Sequence, residues 1–484
     1  MTIGVEDRRR WLSLYLLCAG VLMIVLDTTV VNVALPSIRE DLHFGKSLIW
    51  VVNAYLLTFG GFLLLGGRLG DLFGQRRLFL LGLTLFSIAS LACGMAHSQP
   101  LLIAARAVQG VGGAVVDAVA LSLIMNLFSE PGERAQAMGI FGFVCASGGS
   151  IGVLAGGFLT GTLNWHWIFL VNLPIGAIVF ALSLLLLAPD PIRPAAARLD
   201  VAGAVTVTAS SMLAVYAIVN GNEAGWTSPQ TVALLAGAAL LLALFLGIEA
   251  RVQHPLMPLS MFRLRNVATA NVVGVLWAAA MFAWFFISAL YMQLVLGYSA
   301  LQVGLAYLPA NLIMAAFSLG LSARLVMRFG LRLPLLAGLL LAAAGLALFA
   351  QAPPDGRFVT DVLPAMVLLG VGAGMGFNPV LLAAMSDVSP GESGLASGII
   401  NTSFMMGGAL GLAVLASLAA ARTDGLLAVG AAPIAALTSG YHAAFACGAA
   451  FAAAASLVGA VLLRAGRPEA DLGGAQAAGG PHGG

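Results

Sequence analysis

Apolar residues run along this chain in long, nearly unbroken stretches, interrupted by short clusters of glycine, proline and charge. A helix that crosses a bilayer needs about 20 mostly apolar residues. Runs of that kind predict fourteen spans: 11–35, 48–66, 78–96, 100–126, 136–160, 165–187, 200–220, 230–249, 266–296, 301–327, 333–350, 361–386, 394–420 and 440–463. The second and third runs are joined by Gly67-Arg68-Leu69-Gly70-Asp71-Leu72-Phe73-Gly74-Gln75-Arg76-Arg77. So short and charged a segment predicts the link of a hairpin of two membrane helices, with glycines for the turn and arginines to hold it at one membrane face.

Composition agrees with the pattern. The 484 residues are 60% hydrophobic and 9% charged, with mean hydropathy +1.00; soluble proteins carry roughly 25% charged residues. The expected class is an all-α polytopic membrane protein. The net charge of +2 says little, because its distribution matters more. Basic residues collect at alternate ends of the predicted spans: Arg8, Arg9 and Arg10; Arg68, Arg76 and Arg77; Arg134; Arg193 and Arg198; Arg251, Arg263 and Arg265; Arg324, Arg328 and Arg332; Arg464 and Arg467. The other ends hold Arg39, Lys46, Arg357 and Arg422. This asymmetry predicts that both termini are cytoplasmic, and the arginine-, alanine- and glycine-rich composition suggests a bacterial inner membrane. Cys18, Cys93, Cys145 and Cys447 lie in apolar runs without metal-ligand spacing and read as small buried hydrophobes.

The chain repeats itself. Pro131-Gly132-Glu133-Arg134-Ala135-Gln136-Ala137-Met138-Gly139-Ile140 is echoed by Pro390-Gly391-Glu392-Ser393-Gly394-Leu395-Ala396-Ser397-Gly398-Ile399, at an offset of 259 residues. Gly74 and Arg76 are echoed by Gly330 and Arg332 at an offset of 256. A parallel repeat follows, with spans 1–6 matching spans 9–14 and spans 7 and 8 left as an inserted hairpin. The expected organisation is a cytoplasmic N-terminus (1–10), a six-helix bundle (11–187), a linker containing helices 7 and 8 (188–265), a second six-helix bundle (266–463) and a disordered cytoplasmic tail (464–484).

Charge inside a span costs roughly 2.5 to 3.5 kcal/mol on insertion scales and marks function by default. Asp27, Arg106 and Asp117 are the clear cases. Asp27 and Arg106 lie at comparable depth on the first and fourth spans, so they are expected to pair, either as a structural bridge or as a carboxylate whose proton affinity follows the approach of Arg106. Asp117 is eleven residues beyond Arg106. Eleven helical steps return to within about 20° of the same face, roughly 16 Å further along. It is a candidate second proton site or anchor for a cationic substrate. Uncharged polar residues in spans, Asn53, Tyr55, Gln109, Gln293, Asn311, Asn378 and Asn401, are candidates to line a substrate path, against the plainer role of interhelical hydrogen bonding. Trp277, Phe282, Trp284, Phe285 and Phe286 crowd the ninth span, where packing is the first expectation. No metal-ligand cluster or phosphate-binding Gly-x-x-x-x-Gly-Lys-Ser/Thr segment is present in the sequence, which disfavours direct use of ATP. The histidines are scattered.

Over nearly its whole length, roughly 11 to 463, the chain resembles the major facilitator superfamily, and within it the fourteen-helix drug:proton antiporter family. Gly67, Leu69, Asp71, Gly74, Arg76 and Arg77 match the signature of the loop between helices 2 and 3, with Gly70, Leu72 and Gln75 departing from it. Leu26-Asp27-Thr28-Thr29-Val30-Val31-Asn32-Val33-Ala34-Leu35-Pro36 resembles the first-helix signature, and Arg106-Ala107-Val108-Gln109-Gly110-Val111-Gly112-Gly113 the fourth. Trp165, Trp167, Ile168, Phe169, Asn172 and Pro174 match the approach to the sixth helix. The fifth-helix antiporter signature is present as Gly152-Val153-Leu154-Ala155-Gly156-Gly157, without its usual proline; with Gly148 and Gly149 these glycines still predict a smooth, closely packed face.

The resemblance implies the major facilitator fold: two six-helix bundles plus an inserted two-helix hairpin. It implies a proton-coupled exporter of small amphipathic molecules rather than an enzyme, with a proton gradient as energy source, no cofactor or metal, no nucleic-acid partner, and a monomer in the lipid bilayer. Asp27, Arg106 and Asp117 would couple protons. Gly67, Asp71, Gly74, Arg76 and Arg77 would form a conformational latch against a helix end of the other bundle. The alternatives are a proton symporter or facilitator for a metabolite, or a membrane sensor that does not transport.

Overall fold

The computed structural model describes residues 5–128, 130–190, 200–253, 255–388 and 393–463. At a few helical positions, Asp71, Arg134 and Cys145 among them, only the backbone is described. The tail from residue 464, Arg193, Arg198, His254 and residues 390–392 of the second repeat copy lie outside the described residues. Every regular element described is helical.

The rods are α1 (Val5–Asp41), α2 (Trp50–Phe73), α3 (Gln75–Gly94), α4 (Gln99–Leu127), α5 (Pro131–Thr162) and α6 (Asn172–Leu186, after a short Trp167–Leu170 turn). Then come α7 (Val201–Ala224) and α8 (Pro229–Glu249). The second half holds α9 (Arg265–Leu290), α10 (Ala300–Ala316), α11 (Arg332–Phe349), α12 (Leu363–Met385), α13 (Ser393–Ala428) and α14 (Pro433–Leu462). Among the described residues, twelve helices are long and apolar enough to cross a membrane, and Ile151–Thr162 of α5 and Ala300–Ala316 of α10 are shorter apolar helical stretches. α5 itself is one continuous helix, whereas α10 passes through a wide turn at Phe317–Leu321, where Gly320 has φ 119°, before Ser322–Phe329.

The two halves repeat one plan. On α5, Gly148 and Gly152 pack against Val25, Leu26 and Thr29 of α1. At the repeat offset of 259, Gly407 and Gly411 on α13 pack against Val275 and Ala279 of α9. A Cβ at Gly152 would lie 2.0 Å from Thr29 Oγ1, and one at Gly411 2.0 Å from the Ala279 Cβ, so both crossings need bare backbone. The first helix of each half also caps the last. The Arg9 guanidinium donates to the Leu185 and Leu186 carbonyls, and Arg265 to those of Val461 and Leu462. These are the carbonyls a helix C-terminus leaves unpaired, and a cation is favoured there.

The halves meet along α2 with α13 and along α5 with α10, and α7 packs against both α2 and α13. The segment 67–77 is not an extended link. α2 stays helical through Phe73, Gly74 alone breaks it (φ 98°, ψ 130°), and α3 starts at Gln75. Positive φ selects glycine here. The backbone N–H groups of Arg76 and Arg77 donate to the Asp190 carboxylate at 2.9 and 3.0 Å, so a residue beyond α6 caps the start of α3. Gly330, its repeat partner, makes the matching break between α10 and α11 with φ 74°.

Candidate functional site

Arg106 is 1% exposed and Asp27 fully buried, and their separation across α1 and α4 is 2.5 Å (Nη1–Oδ2). Burying two charges is tolerable only where the remaining donors and acceptors are also met, and here they are. Arg106 Nη1 donates to Gln109 Oε1 (2.7 Å) and Nε to the Val51 carbonyl of α2 (2.9 Å). The other oxygen of Asp27, Oδ1, accepts from Gln109 Nε2 (2.8 Å) and Asn172 Nδ2 (2.9 Å). Ser90 of α3 accepts from both amides, at 3.2 and 3.0 Å, and donates to the Phe169 carbonyl at 2.9 Å. The guanidinium carbon sits 4.3 Å from the centre of the Tyr55 ring, a cation–π contact. Every contributor comes from the first half of the chain.

The network divides the carboxylate. Oδ1 is held by two neutral amides, whereas Oδ2 faces only Arg106 among the described residues. Guanidinium has donors and no acceptor. A proton added at Oδ2 therefore removes the charge attraction and places a donor where the guanidinium donates, which weakens the hold on Arg106. Tyr55, Gln109 and the Val51 carbonyl remain to receive it. This arrangement can convert a protonation event into a displacement of α4 against α1.

The pairing of Asp27 with Arg106 follows the spacing argument above. Gln109 takes the plainer of its two expected roles: it is fully buried as the clasp of the ion pair, because three residues along α4 puts it on the Arg106 face. Gln293 donates to the Val33 carbonyl of α1 at 3.0 Å, which makes it a tie between the halves. The Asn53 side chain and Asn311 Nδ2 are buried without hydrogen-bond partners among the described residues, and the Tyr55 hydroxyl is buried beside Thr28. Asn378 and Asn401 are partly buried. Asp117 is partly buried too and makes no ion pair or hydrogen bond among the described residues, one turn beyond Gly113, where a Cβ would meet Tyr55 and Phe59. The ninth-span aromatics Trp277 and Trp284 are packed inside the second half.

Ser90 and the Phe169 carbonyl were not legible as site members. Asn172 was visible only as part of a family motif; a lone serine in an apolar run carries no signal. The glycines of α5 also divide their work. Gly148, Gly152 and Gly156 face α1, while Gly157 and Gly161 approach Ala300 and Leu301 of α10, across the boundary between halves. The expected latch through Asp71 lies outside the described side chains. Arg76 and Arg77 clip to Asp190, just beyond α6, and Arg76 also to the Leu184 carbonyl of α6; Gly74 turns the chain beside Asp190, and Gly67 packs loosely near Ala118.

Polar ties between the halves cluster on one face, opposite the arginine-rich one. Lys46 Nζ at the start of α2 is 2.8 Å from Asp424 of α13 and 3.3 Å from Glu223 of α7. The Gln293 bond and the Gly157–Ala300 approach lie on the same side. On the arginine-rich face the described polar contacts, Arg10–Glu133, Arg76–Leu184 and Asn266–Asp387, stay within a half.

Residues 17–412 match the family model described as Major Facilitator Superfamily. The chain is 41% identical to the puromycin resistance protein pur8 of Streptomyces alboniger over 87% of this chain and 84% of that one. It is 40% identical to the cephamycin export protein CmcT of Amycolatopsis lactamdurans (85% and 86%), and 36% identical to the lincomycin resistance protein of Streptomyces lincolnensis (85% of each). Among solved structures, a bacterial homologue of the human lysosomal transporter Spinster superposes with TM-score 0.65 at 17% identity, covering 94% of this chain and 98% of that one.

Proposed function

The chain belongs to the Major Facilitator Superfamily, a family of transporters and not of enzymes, and we propose that it exports small amphipathic molecules in exchange for protons. The observation that carries the reading is the one-sided carboxylate: Asp27 Oδ2 faces only Arg106 among the described residues, and in this reading it exchanges Arg106 for a proton. The names of the relatives support export of antibiotic-like cargo.

In this reading the arginine-rich face is cytoplasmic in a bacterial inner membrane, with both termini there. The ties at Lys46, Gln293 and Gly157 close the outer side, and substrate enters from the cytoplasm between the halves. Asp117, without an ion pair or hydrogen bond among the described residues, anchors a cationic head beside the Tyr55 and Phe59 rings. Rocking of the halves then exposes Asp27 to outside protons, Arg106 is released, and proton delivery to the cytoplasm restores the pair. The segment from Gly67 to Arg77 moves as one piece with its own half and meets the other half only in the outward-open state. The working unit is a monomer using the proton gradient and no cofactor.

Two outcomes follow. Asp117→Asn lowers transport of monocationic substrates at least tenfold while leaving zwitterionic ones within about twofold, read as initial rates in vesicles; a uniform effect contradicts the anchoring role. Lys46→Met removes an exposed clamp of about 1 kcal/mol. It raises the outward-open population roughly fivefold, read as labelling of a cysteine placed between α2 and α13 by a membrane-impermeant thiol reagent.

A further inference from the structure

The inserted hairpin holds two carboxylates that the transport cycle does not use. Asp200 caps α7: its Oδ1 accepts from Gly203 N at 2.7 Å, and its Oδ2 has no hydrogen-bond partner among the described residues. Glu249 closes α8: its Oε2 accepts from Met257 N at 3.1 Å, and its Oε1 has no hydrogen-bond partner among the described residues. The two residues are 5% and 3% exposed. A Cβ on Gly203 would lie 2.5 Å from Asp200 Oδ2 and 3.0 Å from Glu249 Oε1, so both orphan oxygens border the small space that glycine leaves open.

Two buried acceptors without a donor between them are unfavourable. No basic side chain among the described residues pairs with either. Arg68 on α2 and Arg251 and Arg263 on the connecting segment form no ion pair with them, and Arg265 of α9 is engaged by the carbonyls of α14. The charged groups of α13, Arg422 and Asp424, are at its far end, with Arg422 on Ser439 and Asp424 on Lys46. The Asp71 side chain, Arg193, Arg198 and His254 lie outside what is described. One proton resolves the conflict: a carboxyl O–H on Glu249 donates to the Asp200 carboxylate, and both orphan oxygens are satisfied.

We propose that Asp200 and Glu249 form a second proton-binding site, in the inserted hairpin and separate from the Asp27–Arg106 centre. Its consequence is local. Glu249 holds Met257, whose neighbour Leu256 packs with Leu65 of α2 and Ala204 of α7, while Met257 itself packs against the Met261, Val267, Ala396 and Ile399 cluster. The proton therefore holds the connection between hairpin and second half down on the end of α2. Loss of the proton puts two negative charges around Gly203, and their repulsion drives the Glu249 side chain from Asp200, carrying with it the Met257 N–H it holds and loosening residues 255–263. That the proton comes from cytoplasmic water rests on the orientation proposed above.

The test uses the purified full-length protein in lipid nanodiscs and needs no transport. Infrared difference spectra across pH show a protonated-carboxyl C=O band in the wild type that is lost as pH rises. Glu249→Gln removes that band, and Asp200→Asn, which takes away the neighbouring negative charge, shifts its loss to lower pH; both retain the carbonyl oxygen that the backbone N–H needs, so folding is preserved. Amide exchange of residues 255–263, corrected for intrinsic chemistry, loses protection about tenfold per pH unit beyond the titration in the wild type and is flat in Glu249→Gln. Asp27 and Asp117 contribute carboxyl bands of their own in every variant, so a pH-dependent band set in Glu249→Gln identical to that of the wild type overturns the proposal. So does sodium- or calcium-dependent protection of 255–263 without any carboxyl band that Glu249→Gln removes, which would make the pair a metal-cation site. Either failure leaves the export reading standing.

Discussion

Replacing Arg106 with Leu will abolish transport and leave the protein much less stable than the wild type. The substitution strands a fully buried carboxylate and removes the donor to Gln109 and to the Val51 carbonyl. Breaking a buried pair by deleting one partner costs about 3–5 kcal/mol, enough to lose most folded protein at physiological temperature. The check is thermal unfolding followed by fluorescence-detected size exclusion. The double variant Arg106→Leu with Asp27→Asn should recover most of the stability, because the neutral amide needs no cation, and none of the coupled transport. Failure of the double variant to recover would mean that the stacking of Arg106 on Tyr55, not its charge, holds the site together.

Gly152→Val has the second large effect. The added side chain enters where Thr29 Oγ1 is 2.0 Å and the Leu26 carbonyl 2.9 Å from the Cβ position. α1 is then forced off α5, and Asp27, one residue from Leu26, moves with it. Gly152→Ala is graded, keeping part of the activity, and Gly411→Ala mirrors it in the second half against Ala279. Equal expression and activity of Gly152→Val and wild type would contradict the close crossing.

Much of this was readable before any coordinates. The apolar runs and the charged residues within them led to an all-helical membrane fold and to the Asp27–Arg106 pair, because bilayers penalise charge so heavily that each exception must find a partner. The offset of 259 gained a physical meaning only in three dimensions, where Gly148 and Gly152 on one side and Gly407 and Gly411 on the other make the same crossing. What stayed hidden has a common cause. Ser90, the Phe169 carbonyl and the Asp190 cap act through hydrogen bonds between residues distant in sequence, and serine or a backbone carbonyl has no pattern to betray it. Gln109 and Gln293 show the converse: a polar residue in a span reads as either path lining or an interhelical hydrogen bond, and only packing reveals that one closes an ion pair and the other ties the turn after α9 to α1. The turn between α2 and α3 was misjudged in length because glycine and arginine within 67–73 read as loop, whereas the helix needs just one residue, Gly74, to end.

The central claim is that Asp27 Oδ2 exchanges Arg106 for a proton, and purified protein in vesicles with an imposed pH gradient tests it most directly. Uptake of an amphipathic cation into acidic-lumen vesicles through inverted wild-type protein should follow the gradient and be accompanied by counter-movement of protons. Asp27→Asn, inserted and folded, should still equilibrate substrate down its own gradient but neither concentrate it nor move protons. Proton-driven accumulation at wild-type rates in Asp27→Asn would contradict the account.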